Sequence, residues 1–270
     1  MNCKKILLPL LSLIIYSSAI GQKLSCQPNI DFELGNLSNW NFFNGLCTAA
    51  IPYTTVALTA TAPVPGREDL TSGMGMDLYG LFPVVGQGLF SCKLGHDTAL
   101  YCTERARYQI HVPVGVSYSI FYHYAVVLED PSHPPSGQPR FQVTAYDSAT
   151  GLPITCANFN YIVNKTSFGF KLSKKGFDVY YKPWSTGSMN LTAYGGKTVT
   201  IDYTAVDCGF GGHFGYAYID MSCGLFAITN VTCNSTNTTL CGPPGYDTYS
   251  WYDSLTFTTL YSTSERIGHK

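Results

Sequence analysis

The apolar positions of this chain alternate with polar ones far more often than they recur at helical spacing. Residues 118–128 are apolar or aromatic on both alternating faces, the pattern of a central strand covered on both sides. Residues 107–112, 141–146, 198–206 and 214–221 follow the same β-rich pattern. Between these runs, Pro113, Val114 and Gly115, and then Tyr194, Gly195 and Gly196, supply turn chemistry. The pattern predicts an all-β fold, a two-sheet antiparallel β-sandwich of jelly-roll type with a short β-rich C-terminal segment.

One apolar run falls outside this scheme, at the start of the chain. Lys4 and Lys5 precede an apolar stretch over residues 6–15, and small residues follow over 17–22, the three parts of a secretory signal peptide spanning residues 1–22. The run is too short to cross a bilayer, and no later stretch approaches the ~20 apolar residues that crossing needs. The expected place of work is secreted, extracellular or at the cell surface, without a transmembrane segment. A lipoprotein signal built on Cys26 is the rival, but Lys23 and Leu24 stand where that signal wants small residues.

Composition narrows the partner. Charged residues are only 12% of the chain and the net charge is −1, which argues against nucleic acid or an anionic membrane surface. Twenty tyrosines and twenty-six glycines suit sandwich strands joined by tight turns.

Beyond Cys3, which leaves with the signal, nine cysteines remain: Cys26, Cys47, Cys92, Cys102, Cys156, Cys208, Cys223, Cys233 and Cys241. In an oxidising compartment they read as disulfides, with one left over. Cys92 with Cys102, or Cys26 with Cys223, would close the domain sensibly. No Cys-x-x-Cys pair occurs, and no histidine stands beside a cysteine at zinc-finger spacing, so the sequence argues against a structural zinc site.

Residues 129–139 place prolines around His133 and cannot extend a sheet, so they read as an exposed loop of the kind that carries binding residues or simply stiffens a turn. Residues 207–216 are glycine-rich around His213 and read as a tight loop feeding the last strand of the domain. The chain changes character after Gly224, where Thr and Asn dominate before Pro243, Pro244 and Gly245 lead to Tyr249 and Trp251.

Asn29, Phe32, Glu33, Gly35 and Trp40 have the spacing of a known opening. It resembles the start of galactose-binding-like jelly rolls, among them carbohydrate-binding modules and MAM domains. That resemblance implies a structural calcium ion held by Asp31 and Glu33 from the first strand and Asp220 from the last, since carboxylate oxygens suit a hard cation. The plainer reading makes Asp31 and Glu33 solvent-facing neighbours on one strand face. Together with the segments at 129–141, 181–184 and 207–220, the opening resembles the MAM-like jelly-roll module of large Bacteroidetes surface proteins. Those proteins often carry PKD repeats and gliding-motility-associated or type IX sorting C-termini, and no such sorting domain is recognisable here. The implied organisation is a signal peptide at 1–22, a jelly-roll domain at 23–224, and a truncated Ig/PKD-like segment or tail at 225–270.

His96 beside Asp97, His133 near Glu129 and His213 near Asp207 offer acid–base groups, yet none lies in a nucleophile or metalloprotease motif, which makes catalysis the weaker class. The expected function is a recognition or adhesion module for a glycan or a protein surface. Sugar rings need exposed aromatic faces and a few polar side chains. Trp184, Tyr180 and Tyr181, with His133 and His213 in loops, are the candidates; core packing is the competing role for Trp184, and Trp40 is expected to anchor the core. Two alternatives are a ligand-free spacer domain of a surface protein and an accessory domain of a secreted hydrolase.

Overall fold

The computed structural model describes residues 26–154, 159–162, 169–225, 228–233, 238–242, 248–253 and 256–269. The expected signal peptide at 1–22 and Cys156 lie outside them, as does the side chain of Cys233.

Strands run in the order β1 (Asn41–Thr48), β2 (Thr55–Thr61), β3 (Glu68–Ser72), β4 (Phe90–Leu94), β5 (Cys102–His111), β6 (Ser119–Glu129), β7 (Arg140–Asp147), β8 (Phe159–Ile162), β9 (Lys171–Leu172), β10 (Val179–Asn190), β11 (Thr198–Val206) and β12 (Gly215–Gly224). Five more follow: β13 (Thr229–Cys233), β14 (Thr238–Cys241), β15 (Trp251–Tyr252), β16 (Leu260–Ser262) and β17 (Arg266–His269). The first twelve form two six-stranded sheets, ordered β2-β1-β5-β11-β7-β8 and β3-β4-β12-β6-β10-β9, with antiparallel pairing throughout. This is the two-sheet sandwich that the alternation predicts. The last five pair among themselves, in a three-stranded and a two-stranded sheet.

The sheets meet through their inward faces. Tyr108 and Ile110 of β5, Phe141 and Val143 of β7 and Ile201 and Tyr203 of β11 pack against Ile120, Tyr124 and Val126 of β6 and Ile219 of β12. Strand β6 is buried on both faces, as expected of residues 118–128, but its second cover is unusual. Ala125 and Val127, on its outward face, pack with Phe82, Tyr216 and Tyr218 into a second apolar cluster. Residues 73–89, between β3 and β4, lie over that outward face. Asp77 fastens them there by accepting hydrogen bonds from the hydroxyls of Tyr216 (2.7 Å) and Tyr218 (3.1 Å). One sheet therefore has a closed outer face, while the other keeps its outer face half-exposed.

Trp40 is a core anchor, stacked on Phe32 at 4.6 Å and edge-on to Tyr108 at 5.0 Å, with its indole N–H donated to Asn29 O. The opening segment around it is not a strand: residues 27–39 are turns, with Asn29 and Phe32 at positive φ. Asp31 and Glu33 thus stand in turns and not side by side on a strand face.

Cysteine usage departs from expectation. Cys26 and Cys223 form a disulfide with Cα atoms 5.4 Å apart, whereas Cys47, Cys92, Cys102, Cys208 and Cys241 are buried free thiols. The suggested Cys92–Cys102 closure is not made, because Cys92 sits in β4 of one sheet and Cys102 opens β5 of the other. Burial pushes the thiols of Cys47 and Cys102 up to about 12 and about 11 and that of Cys92 well above its ordinary value, so these groups stay protonated and inert.

Candidate functional site

On the half-exposed sheet, residues of one parity fill the core, and those of the other form a face of polar side chains and rings. Strand register sets the rows. Arg107 of β5 stands opposite Asn41 of β1 and Asp202 of β11, and Asp202 in turn opposite Thr144 of β7. In the next row Phe43 faces Arg105, which faces Thr204. On the other side Gln109 faces Thr200, which faces Tyr146.

Asp202 is the hub. Only 2% exposed, it receives a two-pronged hydrogen bond from Arg107, Nε to Oδ1 at 2.7 Å and Nη2 to Oδ2 at 2.8 Å, and a third contact from Arg105 Nη1 at 3.3 Å. The fork matches the carboxylate plane and fixes the guanidinium. The hydrogen bond to Asp202 is the main reason that the Arg107 pKa rises above its ordinary value. So held, the guanidinium lies 4.7 Å from the Phe43 ring centroid and 5.9 Å from that of Tyr146. Arg105 Nε donates to Thr204 Oγ1 at 3.0 Å.

Two hollows adjoin this face and share Gln109. One, of about 440 Å³, is bounded by Trp40, Phe42, Phe43, Pro63 and Arg107. The other, of about 680 Å³, is bounded by Asp147, Ser148, Thr150 and Lys197. None of Phe43, Arg105, Arg107, Tyr146 and Asp202 was singled out from the sequence. Alternation marks them as outward-facing, but it does not bring together residues such as Arg107 and Asp202, 95 positions apart.

The aromatic residues expected to hold a sugar are placed elsewhere. Tyr180 is 9% exposed and belongs to the core between the sheets. Tyr181 packs towards Phe82, and Trp184 donates its indole N–H to Pro83 O at 2.7 Å beneath residues 73–89. A Cβ on Gly86 would fall 2.4 Å from the Trp184 ring, so that backbone lies directly on the indole. Tyr180 is therefore turned into the core, while Tyr181 and Trp184 pack against residues 73–89, which for Trp184 is the competing role named above.

His133 and His213, from loops far apart in sequence, do meet. Their rings lie 5.4 Å apart and perpendicular, and His133 Nδ1 is 3.3 Å from Cys208 Sγ.

Asp31, Glu33 and Asp220 also converge. Asp220 is 3% exposed, and its Oδ1 accepts the Met221 N–H. Burial first, then the like charges of Asp31 and Glu33, raise its pKa to about 8. Glu33 Oε1 is held by the N–H groups of Leu89 and Phe90, and Asp31 Oδ1 by that of Glu33. Two carboxylates, Asp31 and Glu33, thus stand within electrostatic reach of a buried third, Asp220.

Two members of the suggested acid–base pairs, Asp207 and His96, are engaged by the backbone. Asp207 accepts backbone N–H groups from Leu100, Cys102 and Gly215, and His96 Nδ1 accepts the N–H of Thr98. A buried polar knot that sequence reasoning missed is His123, bound to Thr186 and Ser222 hydroxyls and to Gln87, with a pKa lowered by burial to about 4.

Fold and face together define a β-sandwich with one strapped sheet and one open sheet of polar and aromatic side chains. No family model matches the chain, and no curated protein does. Solved structures give loose likenesses. The carbohydrate-binding module TmCBM61, solved with β-1,4-galactotriose, is 10% identical with a TM-score of 0.40, over 75% of this chain and 99% of that one. The family 11 carbohydrate-binding module of the Clostridium thermocellum cellulase Lic26A-Cel5E is 7% identical with a TM-score of 0.32, over 75% and 95%. The active domain of a bacteriophage CBA120 tailspike protein is 13% identical with a TM-score of 0.37, over 74% of this chain but only 21% of that one. At these identities and TM-scores the likenesses lend no weight to any particular ligand.

Proposed function

We propose that the chain is a non-catalytic extracellular recognition module that binds a glycan across its open sheet. The observation that carries this reading is the Arg107 guanidinium, locked by Asp202 over Phe43 and near Tyr146, in the wall of a hollow that shares Gln109 with a second one. Ring faces take the apolar C–H surface of a sugar, while fixed guanidinium, amide and hydroxyl groups take its hydroxyls. Because the Arg–Asp fork exists before any ligand arrives, little ordering remains to oppose binding. Two hollows in series suit several residues of a chain better than a single monosaccharide.

Asp31, Glu33 and Asp220 are proposed to hold a structural calcium ion remote in role from the sugar. Its contribution would be to neutralise the buried carboxylate and to tie the opening turns to β12.

A glycan array probed in calcium and in chelator, followed by calorimetric titration of a soluble oligosaccharide, tests the reading. Binding that weakens about tenfold or more in Phe43→Ala supports it. An array without hits, or binding indifferent to both Phe43→Ala and Arg107→Ala, removes it.

A further inference from the structure

Three metal-binding side chains meet at one end of the sandwich, outside both the open face and the carboxylate cluster. His133 comes from the β6–β7 connection, and Cys208 and His213 from the β11–β12 connection. The two loops are braced against each other. Gly209 N–H donates to Gly137 O at 3.1 Å, and Ser136 O accepts from Ala50 N–H and Thr54 Oγ1. Asp130, buried, fixes the start of the first loop by accepting from Ser132 N–H at 2.8 Å and Gln138 Nε2 at 2.7 Å. Within the second loop, Cys208 N–H donates to His213 O at 3.0 Å while Gly211 and Gly212 adopt positive φ, so the chain doubles back and places His213 beside Cys208.

One donor atom from each of the three residues lies within 4.8 Å of the others. In a tetrahedral zinc site, bond lengths of about 2.0–2.1 Å to nitrogen and about 2.3 Å to sulfur put neighbouring donors about 3.3–3.6 Å apart. The His133 Nδ1–Cys208 Sγ distance of 3.3 Å is already within a few tenths of an ångström of the nitrogen–sulfur spacing at the upper end of that range. Most telling is His213 Nδ1, which is buried without a hydrogen-bond partner among the described residues. A buried ring nitrogen left unmatched asks for a partner, and a metal ion is one that imidazole takes well.

We propose that His133, Cys208 and His213 bind a zinc-class divalent ion. Cys208 is fully buried and forms the floor, while the two histidines are partly exposed and form the rim, so the fourth coordination position points towards solvent, free for water or a ligand oxygen. His133 is steadied from one side by the Phe210 ring, edge-on at 5.1 Å. Burial raises the Cys208 thiol, while the N–H groups of Phe210 and Gly211 work the other way and would support a thiolate once a cation arrives. The separation of His133 from Cys208 by 75 positions explains why ligand spacing along the chain argued against zinc. A second trio, His96, Cys102 and Glu104, is a weaker candidate, since Arg67 neutralises the Glu104 carboxylate through Oε1 and leaves only Oε2 for a cation.

The test is zinc binding to the full chain, purified anaerobically and stripped of metal. Zn²⁺ is titrated against a chromophoric chelator, and Co²⁺ is added separately to look for thiolate-to-cobalt charge-transfer absorption. One zinc per chain and a thiolate band are expected. Affinity should fall more than about 100-fold in Cys208→Ser and at least about tenfold in His133→Ala and in His213→Ala, with far-ultraviolet circular dichroism unchanged, while His96→Ala binds normally. Should Cys208→Ser lose its fold, the two histidine variants decide. Absence of zinc binding, binding that survives His133→Ala combined with His213→Ala, or peptide mapping that finds Cys208 joined to the neighbouring Cys47 overturns the proposal.

Discussion

Asp220 holds a carboxyl group where ionisation is resisted by burial and by Asp31 and Glu33. Its folded pKa of about 8 lies above the ordinary carboxylate value, so the folded state binds the extra proton and loses stability as pH rises towards 8. Glu104, raised to about 8 mainly by burial, acts in the same sense, and Asp207, raised to about 6, stops contributing earlier. His123 works oppositely: lowered to about 4, it destabilises the fold as pH falls below about 6.5. Between pH 6.5 and 8 the carboxyls therefore act without that opposition. In chelator, the melting temperature should fall across this window, and Asp220→Asn should reduce the fall to the share left by Glu104. Added calcium should abolish the Asp220 share in the parent chain and change nothing in the variant; a parent chain whose melting is blind to calcium would remove the proposed ion.

At this scale legibility was uneven. Trp40 was readable as an anchor because a large ring just after a turn-rich opening has few other places to go. The packing of Trp184 was harder to read, since the backbone that covers it comes from Pro83 and Gly86, about a hundred positions earlier.

Among the strands, β5, β6, β7, β11 and β12 announce themselves by alternation because both of their neighbours are strands and one or both faces are buried. Edge strand β2 is mostly exposed and rich in Thr and Ala, so it carries little burial pattern to read. Strand β10 is interrupted where Pro183 cannot pair, and the register shifts between Lys182 and Ser185 as a bulge that reads in sequence as a turn. The open face escaped for a related reason: alternation says which residues point outward, and only register says which of them touch.

Two substitutions probe these elements. A Cβ at Gly45 would sit 1.6 Å from Ala57 O, inside the β1–β2 pair, so Gly45→Ala should separate β2 from the sheet and speed amide exchange along residues 55–61. Asp202→Ala leaves two arginines without their hub and should destabilise the fold by up to about 3 kcal/mol, the loss expected when one member of a buried ion pair is removed, read by urea denaturation.

For the molecule as a whole, the disulfide between Cys26 and Cys223 spans 197 positions and encloses every strand of both large sheets. Restricting so long a loop in the unfolded chain stabilises the fold by at most about 5 kcal/mol. A Cys26→Ser, Cys223→Ser double variant should therefore melt lower by roughly 10 °C in a thermal scan. The other buried thiols should leave that value unmoved by mild reductant once the bridge is gone.

That bridge also fixes how the sandwich meets tension. Its two half-cystines have Cα atoms 5.4 Å apart, so a pull transmitted through the backbone on either side of them runs across a covalent link and never loads the hydrogen bonds of the sheets. Stretched between its ends in a single-molecule experiment, the oxidised chain should keep this whole segment hidden. Reduction should release roughly 650 Å of extra contour length, at about 3.3 Å for each extended residue.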